Sequence, residues 1–247
     1  WSIQASASLQ HHSENPEAYY PTPYYRDYRT LVRMKQEIEN IQSQSYALYT
    51  EYKRPVKEFF WTLALNHFNT QQNFLTHTDY QGKEFVLTSL EHPNRTENYQ
   101  VRSILSKGFY NWNLKASLEA IYHYGKGLQA GQGIVQLYEM HWTSLKPKVD
   151  WTPTHWLSAS YQAEISCNRT SSLPVLCDIQ QRLSFNIGND TWNMSLRGEH
   201  YQNEISPKQH KNTWLADIGF QYNTGKWRWS ANLNNLFNQK EYRYTTY

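Results

Sequence analysis

Ten histidines (His11, His12, His67, His77, His92, His123, His141, His155, His200 and His210) are the first residues whose chemistry could be put to use. Imidazole is the commonest metal ligand, but ligation needs a suitable spacing. His11 and His12 are adjacent, and no His-x-x-x-His or Cys-x-x-Cys pair occurs. Scattered surface histidine is the plainer account, so no metal and no cofactor are expected. Cys167 and Cys177 flank nine residues, at the end of one alternating segment and near the start of the next. In an oxidising compartment they could close that loop as a disulfide; two free thiols are the other reading. Eight charged residues could contact a ligand: Lys115, Glu119, Glu164, Arg182, Arg197, Glu199, Asp217 and Arg228. The plainer reading pairs them with one another. No Gly-x-Ser-x-Gly, phosphate loop or dinucleotide fingerprint is present, and serine and histidine form no convincing set. No enzyme is expected.

The elements that must carry these residues alternate with period two. Trp112, Leu114, Ala116, Leu118, Ala120 and Tyr122 oppose Asn113, Lys115, Ser117, Glu119, Ile121 and His123. The same pattern runs from Trp156 to Cys167, from Trp192 to Glu199, from Trp214 to Tyr222 and from Trp227 to Phe237. Alternation of this kind gives strands with one apolar and one polar face. Less tidy strands are expected near 99–107, 134–145 and 179–187, and earlier ones over 1–9, 45–53 and 58–68. The stretch 11–28 reads as a Tyr/Pro-rich loop. Leu31, Met34, Ile38 and Ile41 have helical spacing. Residues 69–98 read as a long loop with a hairpin near 85–90, and the total comes to roughly 11–12 strands.

Connections alternate in length. Short ones fall at 108–111, 188–191 and 223–226, with a somewhat longer one near 146–155; long ones fall at about 124–133, 167–178 and 202–212. Trp112, Trp156, Trp192 and Trp227 each follow a connection of the short class. A meander with turns at one end, loops at the other and rings at one level matches a transmembrane barrel with an interfacial aromatic girdle. Composition agrees: 16% of the 247 residues are aromatic and only 18% are charged. The net charge of +3 gives no reason to expect a nucleic-acid partner. The longest apolar run, Tyr46 to Tyr49, is far short of the roughly 20 residues of a membrane helix. A soluble sandwich also alternates, but its strands have a mode of about 5–6 residues. The expected fold is therefore all-β, an antiparallel up-and-down transmembrane β-barrel.

The segment Asn232-Leu233-Asn234-Asn235-Leu236-Phe237-Asn238-Gln239-Lys240-Glu241-Tyr242-Arg243 resembles the penultimate barrel strand of TonB-dependent outer-membrane receptors. Tyr28-Arg29-Thr30, followed by Tyr52-Lys53-Arg54-Pro55 and an aromatic strand, resembles the Bacteroidetes members. The resemblance implies a 22-strand barrel, of which residues 1–247 are a partial barrel domain without the plug or last strand. It also implies uptake of a nutrient such as a metal chelate or glycan. The partners it implies are outer-membrane lipid, the TonB complex acting through a plug absent here, and a surface lipoprotein. A self-contained porin-like or adhesin-like barrel of about 12 strands is the alternative, with 1–9 pairing with 227–237.

Overall fold

The computed structural model describes residues 1–13, 22–33, 40–82, 84–131, 133–171, 173–207 and 209–239. It is all-β. The strands are β1 (Ser2–Ser13), β2 (Tyr24–Tyr25), β3 (Thr30–Arg33), β4 (Asn40–Arg54), β5 (Phe59–Gln81), β6 (Glu84–Phe109) and β7 (Leu114–Gly131). They continue with β8 (Ile134–Thr154), β9 (Leu157–Thr170), β10 (Leu173–Gly188), β11 (Trp192–Ser206), β12 (Gln209–Thr224) and β13 (Trp227–Leu233). All thirteen lie in one sheet, whose main path is β1-β4-β5-β6-β7-β8-β9-β10-β11-β12-β13. Each neighbouring pair on that path is antiparallel. Among the described residues no ladder joins β1 to β13.

The expected long connections are strand instead. β7 runs to Gly131 and β8 resumes at Ile134, while β9 runs to Thr170 and β10 resumes at Leu173. The 69–98 loop is the far half of a hairpin in which β5 has 23 residues and β6 has 26. Alternation weakens there because polar residues occupy both faces, which hides a strand from periodicity alone. The three-turn helix over 31–41 is overturned at both ends, because Leu31 lies in β3 and Ile41 in β4. Met34 and Ile38 fall outside the described residues, as do 14–21 of the expected loop.

The two faces of the sheet segregate. Across β11 and β12, Met194 faces Phe220 and Leu196 faces Ile218, while Ser195 faces Gly219 and Arg197 faces Asp217. The apolar set continues through Leu183 and Phe185 of β10, Ile165 of β9, Leu145 of β8, Leu118 of β7, Val101 of β6 and Leu65 of β5. No second layer covers this face among the described residues. Leu118, Leu145, Leu183 and Phe220 are each 39–44% exposed.

A small apolar cluster lies at one end. Phe74, Leu75, Val86, Val32 and Ala130 are buried where the β5–β6 hairpin meets β3 and the tip of β7. The ladder slips between Gln72 and Phe74. Before the slip β5 pairs with β4 and β6 with β7; beyond it β5 runs parallel to β7 at His77–Thr78, and β6 parallel to β3. The hairpin thus exchanges its edges at the bulge, as the local disruption of a bulge permits. Asp27 anchors β3 by accepting the N–H groups of Arg29 (2.8 Å) and Thr30 (2.9 Å). The bond from Arg29 holds its carboxyl below the usual carboxylate range. Tyr25 Oη donates to Glu84 Oε1 at 3.1 Å, and this bond to a carboxylate raises the phenol's pKa.

Candidate functional site: a charge belt and two aromatic rows

The charged candidates lie on the polar face, because a strand directs alternate side chains to the same side. Successive strands there carry Arg102 (β6), Glu119 (β7), Lys146 (β8), Glu164 (β9), Arg182 (β10), Glu199 (β11) and Asp217 (β12). The sign alternates from Arg102 to Glu199, and Arg197 stands opposite Asp217. The contacts are direct. Arg102 Nε meets Glu119 at 2.6 Å, and Lys146 Nζ meets Glu164 at 2.8 Å. Glu199 is the hub, with a side chain only 9% exposed. Its Oε1 accepts from Arg182 Nε at 2.8 Å and from Arg197 Nε at 2.7 Å, and its Oε2 accepts from Tyr201 Oη at 2.5 Å.

Not all candidates join the belt. Lys115 faces Asp150 in register nearer the short-turn end, where Lys148 and the Ser160 hydroxyl also hold Asp150, at 3.0 and 2.7 Å. Arg228 stands apart beside the β12–β13 turn, donating to Asn223 Oδ1 at 3.2 Å. Asp217 accepts the backbone N–H of Asn235 at 2.9 Å. Sequence reasoning missed Arg102, Lys146, Lys148, Asp150 and Tyr201. Lys146, Lys148 and Asp150 do alternate with Pro147, Val149 and Trp151, but two prolines, Pro147 and Pro153, read as a turn. Because opposite charges lie side by side, the belt is close to neutral, and Glu119, Glu164 and Glu199 are already paired. Such a belt can wall a wet surface.

The apolar face carries rings at two levels. One row lies near the short turns and includes Trp1, just before β1, whose ring centroid lies 4.6 Å from that of Tyr52 on β4 and 6.0 Å from that of Trp61 on β5. Trp156, Trp192 and Trp227 stand at the same end, and Trp112 lies in the 3-10 turn Tyr110–Trp112 rather than in a strand. The second row was not foreseen: Tyr46, His67, Tyr99, Tyr124 and His141 occupy five successive strands. His67 stacks on Tyr99 at 4.3 Å, and Tyr122 Oη lies 2.9 Å from His141 Nδ1. His200 stacks on Trp214 at 4.0 Å further along. Period-two reading treats histidine as polar, so this row had no signal. Between the rows the apolar face carries no charged residue from β4 to β12.

A disulfide joins Cys167 and Cys177, which are register partners on the β9–β10 ladder. It cross-links two paired strands rather than closing a nine-residue loop, since the strands continue to Thr170 and from Leu173. Asn232 and Leu233 of the motif end β13, and Asn234–Gln239 do not continue as strand. Asn235 and Asn238 take positive φ of 55° and 52°, and Leu236 N donates to Ala216 O at 2.9 Å. Asparagine tolerates that conformation, so the chain turns while still held on β12. Lys240 to Arg243 fall outside the described residues.

No protein-family model matches the chain, and no curated protein matches it.

Proposed function

We propose that the chain forms part of a bacterial outer-membrane transport barrel, with its apolar face in hydrocarbon and its charged face lining a wet lumen. The observation that carries this reading is the segregation of charge. From β6 to β12 the polar face bears Arg102, Glu119, Lys146, Glu164, Arg182, Glu199 and Asp217, and the apolar face between the aromatic rows bears none. A water-soluble sheet must cover such a face, at about 25 cal/mol for each Å². Hydrocarbon needs no cover. The spacing of the rows supports the same reading. Trp192 and His200 are eight residues apart, or about 27 Å along the strand. A tilt of about 35–45° reduces that to roughly 20 Å, near the height of an outer-membrane apolar band.

Strand count bears on size. Eleven strands lie on the main path and each is antiparallel to the next, so β1 and β13 run in the same direction. Joining them directly would require a parallel ladder, whereas bacterial single-chain outer-membrane barrels have an even number of antiparallel strands. This supports more strands and a larger barrel such as the 22-strand receptor. On this reading the barrel belongs to a TonB-dependent receptor, and a plug elsewhere in the receptor couples nutrient import to the TonB complex. The nearly neutral belt makes the barrel a channel wall, leaving substrate recognition to the long outer hairpins. The test is the intact mass of the native polypeptide in an outer-membrane fraction. A mass several times 29.5 kDa is the expected result. A mass near 29.5 kDa would instead leave the self-contained barrel of about 12 strands, and absence from the membrane would overturn both.

A further inference from the structure

Two hollows lie in line on the apolar face, along β1, β4, β5 and β6. The first is lined by Ala5, Ala7, Leu48, Leu65 and Val101, with Tyr46, His67 and Tyr99 at its upper rim. It exists because Ala5 and Ala7 face Leu48 and Tyr46 in register, so methyl groups lie beside bulky side chains. The second is polar and is lined by Gln42, Gln71, Asn73, Asn94 and Arg95, with His11 on β1.

The register ties them together. Ala7 and His11, Tyr46 and Gln42, His67 and Gln71, and Tyr99 and Arg95 are each four residues apart on their own strand. The polar hollow therefore lies about 13 Å further along all four strands, just beyond the row of rings. Asn69, only 4% exposed, stands between them. Arg95 Nε donates to Asn69 Oδ1 at 3.0 Å, and Arg95 also meets Glu97 at 2.8 Å. The guanidinium is thus held in place and its charge is balanced, while its five N–H donors exceed these two partners. His67 Nε2 is shielded from solvent and has no hydrogen-bond partner among the described residues.

We propose that the two hollows bind one amphiphile with a neutral, hydroxyl-rich headgroup, a glycolipid. An acyl chain fills the apolar hollow, and the sugar sits among the amides, Arg95 and Glu97. Side-chain amides and a paired Arg–Glu supply donors and acceptors together without net charge. That combination suits hydroxyl groups better than a phosphate, which calls for unpaired cations. The proposal rests on the reading of this face as lipid-exposed.

The test places the native protein in phosphatidylcholine discs containing minor, equal amounts of a galactosyl diacylglycerol and phosphatidylglycerol. Native mass spectrometry then reads the retained lipid. The expected result is one galactolipid per protein, enriched about tenfold over its mole fraction. Ala7→Trp, which fills the first hollow, and the double variant Gln42→Ala/Gln71→Ala should each abolish the enrichment. Lys148→Gln on the opposite face should not. Insertion with no enrichment, or enrichment of phosphatidylglycerol instead, overturns the glycolipid site and leaves the membrane reading intact. Failure to enter the discs overturns both.

Discussion

At the scale of the residue, Glu199 has the most to lose. Its carboxylate is almost covered and holds two guanidinium groups and a phenol. Arg182 and Arg197 remain 48% and 47% exposed, so water can take over part of their solvation when the carboxylate is removed. Glu199→Ala should therefore cost about 1–3 kcal/mol, below the 3–5 kcal/mol of a fully buried pair. The midpoint of urea unfolding in detergent measures it. Glu199→Gln should cost less, since it keeps an acceptor for Tyr201. Replacing Arg182 as well should recover part of the Glu199→Ala loss, because the pair is then removed together.

At the scale of the element, the two 3-10 turns are built alike. Pro55–Lys57 ends at Glu58 with φ 47° and ψ 40°, and Tyr110–Trp112 ends at Asn113 with φ 47° and ψ 42°. Each cap donates its backbone N–H to the first residue of its turn. Asparagine suits this left-handed conformation and glutamate does not, so Glu58 is held there by its surroundings. Gly108 is part of them: its N–H donates to Glu58 O at 2.9 Å. A Cβ at residue 108 would stand 2.8 Å from Glu58 Cβ. Gly108→Ala should thus destabilise by about 1–3 kcal/mol. Glu58→Gly should be neutral or stabilising by up to about 1 kcal/mol, and combined with Gly108→Ala it should remove most of the penalty. Heat-modified migration of the four proteins on denaturing gels ranks them. Equal loss in the single and double variants would show that Glu58 is not what Gly108 makes room for.

At the scale of the whole molecule, the question is what the apolar face meets. Leu196 lies at the middle of that face, opposite Ile218 and Phe185, while Ser195 points the other way, opposite Gly219 and Asn186. In a bilayer, Leu196→Arg should cost about 2–4 kcal/mol and Ser195→Arg little. Folding into lipid vesicles, followed by protease protection, reads the difference. Equal folded yields for the two variants would sink the membrane reading. The pair separates face from position, since the two residues are neighbours in sequence.

The period-two alternation, the short turns and the placement of Trp192 and Trp227 were legible in the chain itself, because each is a local property of a few neighbouring residues. They determined the class of fold and the polar side on which Lys115, Glu119, Glu164, Arg182, Arg197, Glu199, Asp217 and Arg228 stand. Register was not legible. Whether Glu119 meets Arg102 depends on how β6 slides against β7, and one residue of slip sends every side chain to the other face. The same holds for the row from Tyr46 to His141, whose members lie 21–32 residues apart on four of the five strands and become neighbours only across ladders. The edge exchange of the β5–β6 hairpin has the same origin: its tip must bury Phe74, Leu75 and Val86 against a distant β3 and β7. Local chemistry chose strands and faces; long-range pairing chose which charge meets which, and where the chain keeps its core.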